Sequence, residues 1–220
     1  MSRGVIFDMD GVLLDSGREH LESWRRLVAE HDLAMSDDLF WNTFGQTNRH
    51  ILPHLFGREL SEQEMEHYSN RKEELYREIV RGRAKPLPGL ISLMQALKSE
   101  GWELAVGSSG PRLNVELIIS ELGLDQMISA YTCAEDVTHG KPHPEVFLQA
   151  AEKLNLPPQR CLVVEDTLHG IQAAHRAGMK CIAITTTKPA EALKSADVVV
   201  DSFTSLGCKD LDKLLNSKGE

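Results

Sequence analysis

The sequence lacks the features that mark exported, membrane and nucleic-acid-binding proteins. It has no apolar run of about eighteen residues and no basic-then-apolar start, so we expect neither a membrane span nor an export signal. Its four cysteines include no C-x-x-C pair, which predicts reduced core residues in a cytosolic protein. Positive charge is also scarce, because 24 Lys and Arg face 33 Asp and Glu. The resulting net charge of −9 disfavours binding to nucleic acid or an anionic membrane.

The remaining composition is that of an ordinary globular protein. The chain has 220 residues, of which 41% are apolar, 26% charged and 5% aromatic, enough for one large domain or a core with an insertion. An acidic protein can still bind a phosphate, because nearby lysines, backbone N–H groups and a divalent metal dominate at contact distance. No coiled-coil heptad is visible, so a monomer is expected.

Short apolar runs predict the strands of a parallel sheet. The runs occupy residues 4–7, 103–107, 161–164, 181–184 and 197–200. Each is too short for a helix, and continuous apolarity suits strands that are covered on both faces. Helical patterns separate the later runs, which indicates βαβ units. The predicted fold class is α/β, with a doubly wound, Rossmann-like parallel sheet.

Residues 17–86 differ in character from the rest of the chain. They are rich in Glu, Arg and His, and Leu21, Trp24, Leu27 and Val28 recur at helical spacing. This pattern predicts an all-helical cap domain over residues 17–86, inserted into an α/β catalytic core of residues 1–16 and 87–220. The two crossings between these parts, near residue 16 and at residues 85–89, are candidate hinges.

Two carboxylates stand at the carboxyl end of the first predicted strand. Asp8 and Asp10 are two residues apart, and in an extended segment such residues point the same way, about 6–7 Å from each other. Ligands of open α/β sheets bind beyond the carboxyl ends of strands. Two like charges so close favour a bound cation at Asp8 and a proton-carrying role for Asp10. The pattern predicts a metal-assisted phosphoryl-transfer site.

Further candidate residues follow later strands. Ser108 and Ser109 offer hydroxyl and backbone N–H groups to a phosphate oxygen, and Lys141 is a cation in a loop stiffened by Gly and Pro. Glu165 and Asp166 supply the hard oxygen ligands that Mg²⁺ prefers. We expect the fold to bring these residues beside Asp8. His139, His143, His169 and His175 show no metal-ligand spacing with a partner His or Cys, and no zinc role is assigned to them.

These motifs resemble the haloacid dehalogenase superfamily of phosphatases and phosphomutases. The resemblance spans essentially the whole chain and rests on Asp-Met-Asp-Gly-Val at 8–12, Ser108, Gly-Lys-Pro-His-Pro at 140–144 and Val-Glu-Asp-Thr at 164–167. It implies that Asp8 forms an aspartyl-phosphate, and that Asp10 protonates the leaving oxygen and then activates water or an acceptor. It also implies that Ser108 and Lys141 hold the phosphoryl group.

The same resemblance implies a Mg²⁺ cofactor. Its ligands would be the Asp8 carboxylate, the Asp10 backbone carbonyl and Asp166, with Glu165 adjacent. The acid at position 10 favours phosphoryl transfer over carbon–halogen cleavage.

Within the superfamily the sequence looks most like the beta-phosphoglucomutase branch and the neighbouring sugar-phosphate phosphatases. The resemblance places His20, Trp24, Arg49 and Lys72 as cap-side substrate contacts. For His20 and Lys72, a position on a solvent-exposed helix face without a substrate role fits the sequence equally well. Trp24 also suits the core of the cap. After Ser108 the mutase pattern of Ser, Lys and Asn is replaced by Gly110, Pro111 and Arg112, which counts against a second phosphate site and leaves Arg112 as a candidate substitute ligand.

Three functions remain open from the sequence. The first is a Mg²⁺-dependent phosphatase acting on a small phosphate monoester, most simply a sugar phosphate. The second is a beta-phosphoglucomutase that interconverts beta-glucose 1-phosphate and glucose 6-phosphate. The third is a non-catalytic binding module, against which the joint presence of Asp8, Asp10, Lys141, Glu165 and Asp166 counts.

Overall fold

The computed structural model of the protein describes residues 2–43 and 47–217. The chain forms two compact units, one from Met1–Asp15 with Lys85–Glu220 and the other from Ser16–Ala84. We call them the core unit and the helical unit. Among the described residues, no helix combines the length and apolar character needed to cross a membrane.

The core unit is built on a sheet of six parallel strands. They are β1 (Arg3–Phe7), β2 (Trp102–Gly107), β3 (Ala130–Thr132), β4 (Cys161–Glu165), β5 (Lys180–Ile184) and β6 (Val198–Val200). Their order is β3-β2-β1-β4-β5-β6, and every neighbouring pair runs parallel. The predicted doubly wound α/β class is therefore confirmed. The sequence missed β3, because a run of three residues carries no readable pattern.

Helices follow most of the strands of the core unit. They are α5 (Leu90–Ser99), α6 (Arg112–Glu121), α7 (Glu145–Lys153), α8 (Leu168–Arg176), α9 (Ala190–Leu193) and α10 (Cys208–Asn216). Val5, Ile6 and Phe7 of β1 are fully buried, as expected for a central strand covered on both faces. The four cysteines are free and buried, in agreement with the sequence.

The helical unit contains α1 (Gly17–Ala29), α2 (Asp37–Thr43), α3 (Asn48–Phe56) and α4 (Glu62–Val80). Its buried cluster includes Leu21, Trp24, Leu27 and Val28, the residues whose helical spacing predicted α1. Ser61 begins α4 with a capping box, in which its hydroxyl accepts the Glu64 N–H and the Glu64 side chain accepts the Ser61 N–H.

The strand register brings three strand ends to one place. Phe7 of β1 lies opposite Val106 of β2 on one side and Val164 of β4 on the other. The residues that follow these strands therefore meet at the carboxyl edge of the sheet. The order of the strands also reverses between β1 and β4, which is where open α/β sheets bind their ligands.

Candidate active site

Asp8 leaves the end of β1 and meets a buried lysine. The Lys141 Nζ donates a hydrogen bond of 2.7 Å to Asp8 Oδ1 and another of 2.8 Å to Glu165 Oε1. The Lys141 side chain is only 8% exposed, and its ammonium group lies 4.8 Å from the centre of the Phe147 ring. The predicted convergence of Asp8, Lys141 and Glu165 is thus observed, with the lysine between the two carboxylates.

Glu165 is held by the start of α8. Its Oε2 accepts the backbone N–H groups of Asp166 and Thr167, each at 2.7 Å, and the Thr167 hydroxyl at 2.9 Å. A Cβ at Gly170 would lie 1.8 Å from Glu165 Cδ, so the glycine is required where the carboxylate packs against the helix. Both Glu165 oxygens are bound to protein donors, which suits a residue that anchors Lys141.

Asp166 has one satisfied and one unsatisfied oxygen. Its Oδ2 accepts a hydrogen bond from the Thr187 hydroxyl. Its Oδ1 is buried and has no hydrogen-bond partner within residues 2–43 and 47–217. Gly11, at a φ of 78°, lets the backbone pass close by, since a Cβ there would lie 2.0 Å from Asp166 Oδ2. A buried, unpartnered carboxylate oxygen is a natural ligand for a cation.

Burial shifts the acid–base properties of the cluster. It raises the pKa of Asp8 from 3.8 to about 7, a shift that Lys141 opposes and that the charges of Glu165 and Asp10 increase. Burial and the charges of Glu165 and Asp8 also raise the pKa of Asp166 well above its ordinary value. Burial disfavours the charged form of Lys141, but the two carboxylates outweigh it and raise its pKa. The single positive charge of Lys141 thus faces three neighbouring carboxyl groups, those of Asp8, Glu165 and Asp166.

This imbalance fits a divalent metal ion. Asp8, Glu165 and Asp166 each offer an oxygen, and these oxygens lie within 4.8 Å of one another in a buried setting. Carboxylate oxygens are ligands of the kind that Mg²⁺ prefers. Because Glu165 is already bound on both oxygens, Asp8 and Asp166 are the better candidates for direct ligands. Both residues belong to the metal ligands predicted from the sequence, which are Asp8, Asp10, Glu165 and Asp166.

Asp10 lies two residues beyond Asp8 and is half-buried. Its backbone forms a bridge with Leu14, and the Gly11 N–H donates to the Leu14 carbonyl at 2.8 Å. Its negative charge contributes to the raised pKa of Asp8, as expected for two neighbouring carboxylates.

Ser108 follows β2 and is buried, whereas Ser109 is exposed. The Ser108 N–H donates to the Thr132 carbonyl, and its Oγ accepts the Gly110 N–H, both at 2.9 Å. The second bond uses an oxygen lone pair and fixes the hydroxyl at the edge of the sheet. It does not use the hydroxyl proton, which can be donated to a phosphate oxygen.

The helical unit contains a second buried lysine. Lys72 Nζ donates to His20 Nδ1 at 2.8 Å and to Glu73 Oε1 at 3.0 Å. It also lies 5.3 Å from the Trp24 ring and 5.6 Å from that of Tyr76. For Lys72 the alternative of a solvated helix face is wrong, because its neighbours form a buried network. Trp24 is 2% exposed, in keeping with the core of the unit.

Two arginines singled out from the sequence are bound to carboxylates. Arg49 forms two hydrogen bonds with Glu62, of 2.8 and 2.6 Å, and remains largely exposed. Arg112 donates to Asp136 at 2.6 Å and to the Tyr131 hydroxyl at 3.4 Å. The structure therefore does not present the Arg112 guanidinium as an uncommitted phosphate ligand.

Sequence reasoning missed the supports of the carboxylate cluster. Thr167 belongs to the Val-Glu-Asp-Thr motif but received no role, although its hydroxyl binds Glu165. Thr187 follows β5, and its contact with Asp166 depends on the pairing of β4 with β5. Thr187 lies shortly after a predicted strand, and this position could have suggested a role at the site.

Comparison with known proteins agrees with this geometry. The sequence model of one family, described as haloacid dehalogenase-like hydrolase, matches residues 3–178. The chain is 32% identical to validoxylamine A 7'-phosphate phosphatase of Streptomyces hygroscopicus subsp. limoneus, over 94% of this chain and 96% of that one. It is 30% identical to the fructose-1-phosphate phosphatase YqaB of Escherichia coli K12, over 81% of this chain and 94% of that one.

Among solved structures, beta-phosphoglucomutase from Clostridium difficile superposes with a TM-score of 0.87. It shares 28% sequence identity with the chain, and the match covers 98% of both chains. The family match includes β1, β2 and β4, whose ends carry the carboxylate cluster and Ser108. The chain is therefore a member of the haloacid dehalogenase-like hydrolase family and a phosphoric monoester hydrolase.

Proposed function

We propose that this enzyme is a Mg²⁺-dependent phosphatase of sugar phosphates, and that it uses Asp8 as its nucleophile. The observation that carries the proposal is the carboxylate of Asp8, bound at 2.7 Å to a buried Lys141 at the end of the central strand. A nucleophile there is next to a fixed positive charge, which stabilises the charge that develops on a transferring phosphoryl group.

In the first step, an Asp8 carboxylate oxygen attacks phosphorus and the bond from phosphorus to the ester oxygen breaks. Protonated Asp10 gives its proton to the departing oxygen, so that the product leaves as an alcohol. Lys141 balances negative charge on the phosphoryl oxygens, and the Ser108 hydroxyl donates to one of them. The result is an aspartyl-phosphate on Asp8.

In the second step, the Asp10 carboxylate takes a proton from water as the water oxygen attacks phosphorus. The bond from phosphorus to Asp8 breaks, inorganic phosphate leaves, and both aspartates return to their starting states. Asp8 and Asp166 would hold the Mg²⁺ ion, which when bound neutralises charge on the phosphoryl group. The unpartnered Asp166 oxygen supports this ligand assignment.

The comparisons support a sugar phosphate as the substrate. One relative compared above is named a phosphatase of fructose 1-phosphate, and the other a phosphatase of validoxylamine A 7'-phosphate. We propose that His20, Trp24, Arg49 and Lys72 select the substrate. The cytosolic location and the monomeric state stay predictions.

The test is phosphate release from a panel of sugar phosphates and non-sugar phosphate esters, with Mg²⁺ and in metal-free buffer. We expect sugar phosphates to give the highest kcat/KM, and we expect activity to require Mg²⁺ and Asp8. Equal turnover of all esters would argue against the substrate class. Activity that persists in Asp8→Asn would show that Asp8 is not the nucleophile.

A mutase is the second candidate, favoured by the structural likeness to beta-phosphoglucomutase. Gly110, Pro111 and the carboxylate-bound Arg112 count against a second phosphate site. Incubation with beta-glucose 1-phosphate, Mg²⁺ and catalytic glucose 1,6-bisphosphate separates the two. Glucose 6-phosphate formed without matching inorganic phosphate would identify a mutase.

A further inference from the structure

A second group of possible metal ligands surrounds the start of α7. His139 and His143 lie on either side of Lys141, and Glu145 is the first residue of the helix. The two imidazole rings approach to 4.7 Å between centroids. The sequence-based prediction assigned no metal role to these histidines, on the ground that they lack metal-ligand spacing with a partner His or Cys. It overlooked that His139 and His143 are four residues apart, which is within the His-to-His spacing found in zinc sites. The structure places them together.

Two of the three pairs of donor atoms have separations close to those of neighbouring ligands in a tetrahedral metal site. Glu145 Oε2 lies 3.4 Å from His139 Nδ1 and 3.7 Å from His143 Nδ1. Bonds of about 2.0–2.2 Å meeting at a tetrahedral angle place neighbouring ligand atoms about 3.3–3.6 Å apart. One donor atom from each of the three residues lies within 4.8 Å of the others. An ion can therefore bind with small side-chain movements.

The carboxylate of this group is held in place by the backbone. Glu145 Oε1 accepts the Thr138 N–H and Oε2 accepts the His139 N–H, both at 3.0 Å. These bonds, with the Thr138 bond the strongest influence, lower the pKa of Glu145 and keep it ionised. Hydrogen bonds of this kind orient metal ligands in proteins and fix their geometry.

The ligand types and the exposure differ from those of the carboxylate cluster. The His139 and His143 side chains are 65% and 50% exposed, so an ion and a water ligand can reach them. Imidazole nitrogens suit zinc, copper and nickel, whereas Mg²⁺ prefers oxygen. We propose that His139, His143 and Glu145 form a second metal site, which binds a divalent transition-metal ion of the zinc class with water completing the coordination.

Occupancy has a consequence for the loop that carries Lys141. Each histidine is two residues from Lys141, one before it and one after it. An ion bound by both histidines and Glu145 ties the two sides of the loop to the start of α7. The site therefore restrains the segment that positions the Lys141 ammonium group.

The test is calorimetric titration with Zn²⁺ in the presence of excess Mg²⁺, which keeps the carboxylate cluster occupied. We expect the wild-type protein to bind Zn²⁺ at this site. The double variant His139→Asn with His143→Asn should bind it at least about tenfold more weakly, since even loss of an outer-shell partner costs about 10–100-fold.

The chain offers a matched control with the same spacing. His50 and His54 are also four residues apart, with ring centroids 5.3 Å from each other, and within the described residues no third ligand joins them. The double variant His50→Asn with His54→Asn should keep the wild-type affinity for Zn²⁺ at the proposed site. Equal Zn²⁺ affinity in the wild type and in the His139→Asn/His143→Asn variant would overturn the proposal.

A second pair of measurements excludes other causes. The Asp8→Asn/Asp166→Asn variant should keep the Zn²⁺ site, and loss of the site there would show that the ion binds the carboxylate cluster instead. Thermal unfolding without added metal should be the same for the wild type and His139→Asn/His143→Asn. Added Zn²⁺ should then raise the melting temperature of the wild type more than that of the variant.

Discussion

The two units of the protein each contain a buried lysine beside a glutamate, but the two environments differ in charge. Lys72 faces one carboxylate, that of Glu73, and its other close partners are His20 and two aromatic rings. Lys141 faces two carboxylates and has a third, Asp166, beside them. The first cluster is close to charge balance, whereas the second holds an excess of negative charge.

The charges around Lys72 balance within the protein, whereas those around Lys141 do not. Burial raises the pKa of Glu73, but the charges of Lys72 and His20, together with hydrogen bonds from Lys72 and Asn48, outweigh it and hold that pKa below its ordinary value. In the core unit, burial and the charges of neighbouring carboxylates raise the pKa of both Asp8 and Asp166. We infer that the balanced cluster is a fixed part of the helical unit, and that the unbalanced one depends on a cation.

The largest expected effect comes from removing one carboxylate from each cluster. Asp8→Asn should lower kcat by about 10⁴-fold or more, because the nucleophile is lost. In metal-free buffer the same change should not lower the melting temperature, since it relieves excess charge. Steady-state kinetics and thermal unfolding measure the two effects.

Glu73→Gln is the matched variant in the helical unit. It leaves the Lys72 charge buried without its carboxylate, and it should cost about 3–5 kcal/mol of unfolding free energy while kcat changes far less. If Asp8→Asn lowers the free energy of unfolding as much as Glu73→Gln does, the proposed difference in charge balance between the clusters is wrong.

The next effect concerns the lysines themselves. Lys141→Met leaves buried carboxylates without a cation and should lower the free energy of unfolding by about 3–5 kcal/mol in metal-free buffer. Mg²⁺ should restore part of this loss, because it supplies the missing positive charge. Urea denaturation with and without Mg²⁺ provides the measurement.

Lys72→Met is the control for that response. It also breaks a buried ion pair, but Glu73 keeps a hydrogen bond of 2.8 Å from the Asn48 amide, and the helical unit should gain nothing from Mg²⁺. The interpretation fails if Mg²⁺ rescues both variants equally.

A third prediction concerns pH in metal-free buffer. The pKa of Asp8 is raised from 3.8 to about 7, so between these values the folded state holds a proton that the unfolded state has released. Stability is therefore greatest below the lower value and falls as pH rises, by about 1.4 kcal/mol per pH unit for this group. Denaturant titrations across the window measure the slope.

Asp8→Asn removes this titration and should flatten the slope relative to the wild type. A saturating Mg²⁺ concentration should flatten it as well, because a bound cation favours the carboxylate form. Identical slopes for the wild type and Asp8→Asn in metal-free buffer would contradict the raised pKa.

The smallest effect tests the crowding around Asp166. Gly11→Ala places a methyl group 2.0 Å from Asp166 Oδ2, and we expect weaker Mg²⁺ binding together with a loss of stability. Gly101→Ala is the matched control, because Gly101 has a φ of 76° close to the 78° of Gly11 and nothing within 4 Å. It should show only the backbone strain of about 1–2 kcal/mol.

Titration of each variant with Mg²⁺ separates contact from strain. An equal loss of Mg²⁺ affinity in Gly11→Ala and Gly101→Ala would mean that the close approach of Gly11 to Asp166 has no role at the site.

Much of the core unit was predictable, because strands buried on both faces leave continuous apolar runs and the reactive residues follow directly after them. Asp8, Ser108 and Asp166 could be placed together for this reason. The partners of these residues were less predictable. Thr187 reaches Asp166 only through strand pairing, and the buried position of Lys72 depends on side chains from α1 and α4. Local sequence patterns do not encode such contacts.

The position of β1 has a consequence for how the enzyme is made. Val5 of β1 pairs with Leu104 and with Leu162, which lies roughly 160 residues further along the chain. During synthesis at ~5–20 residues per second, β1 waits about 8–30 s for its second neighbour. Among the strands with two neighbours, the one that precedes Asp8 therefore spends the longest time with an unpaired edge. It is the part of the nascent chain that we expect a chaperone to bind.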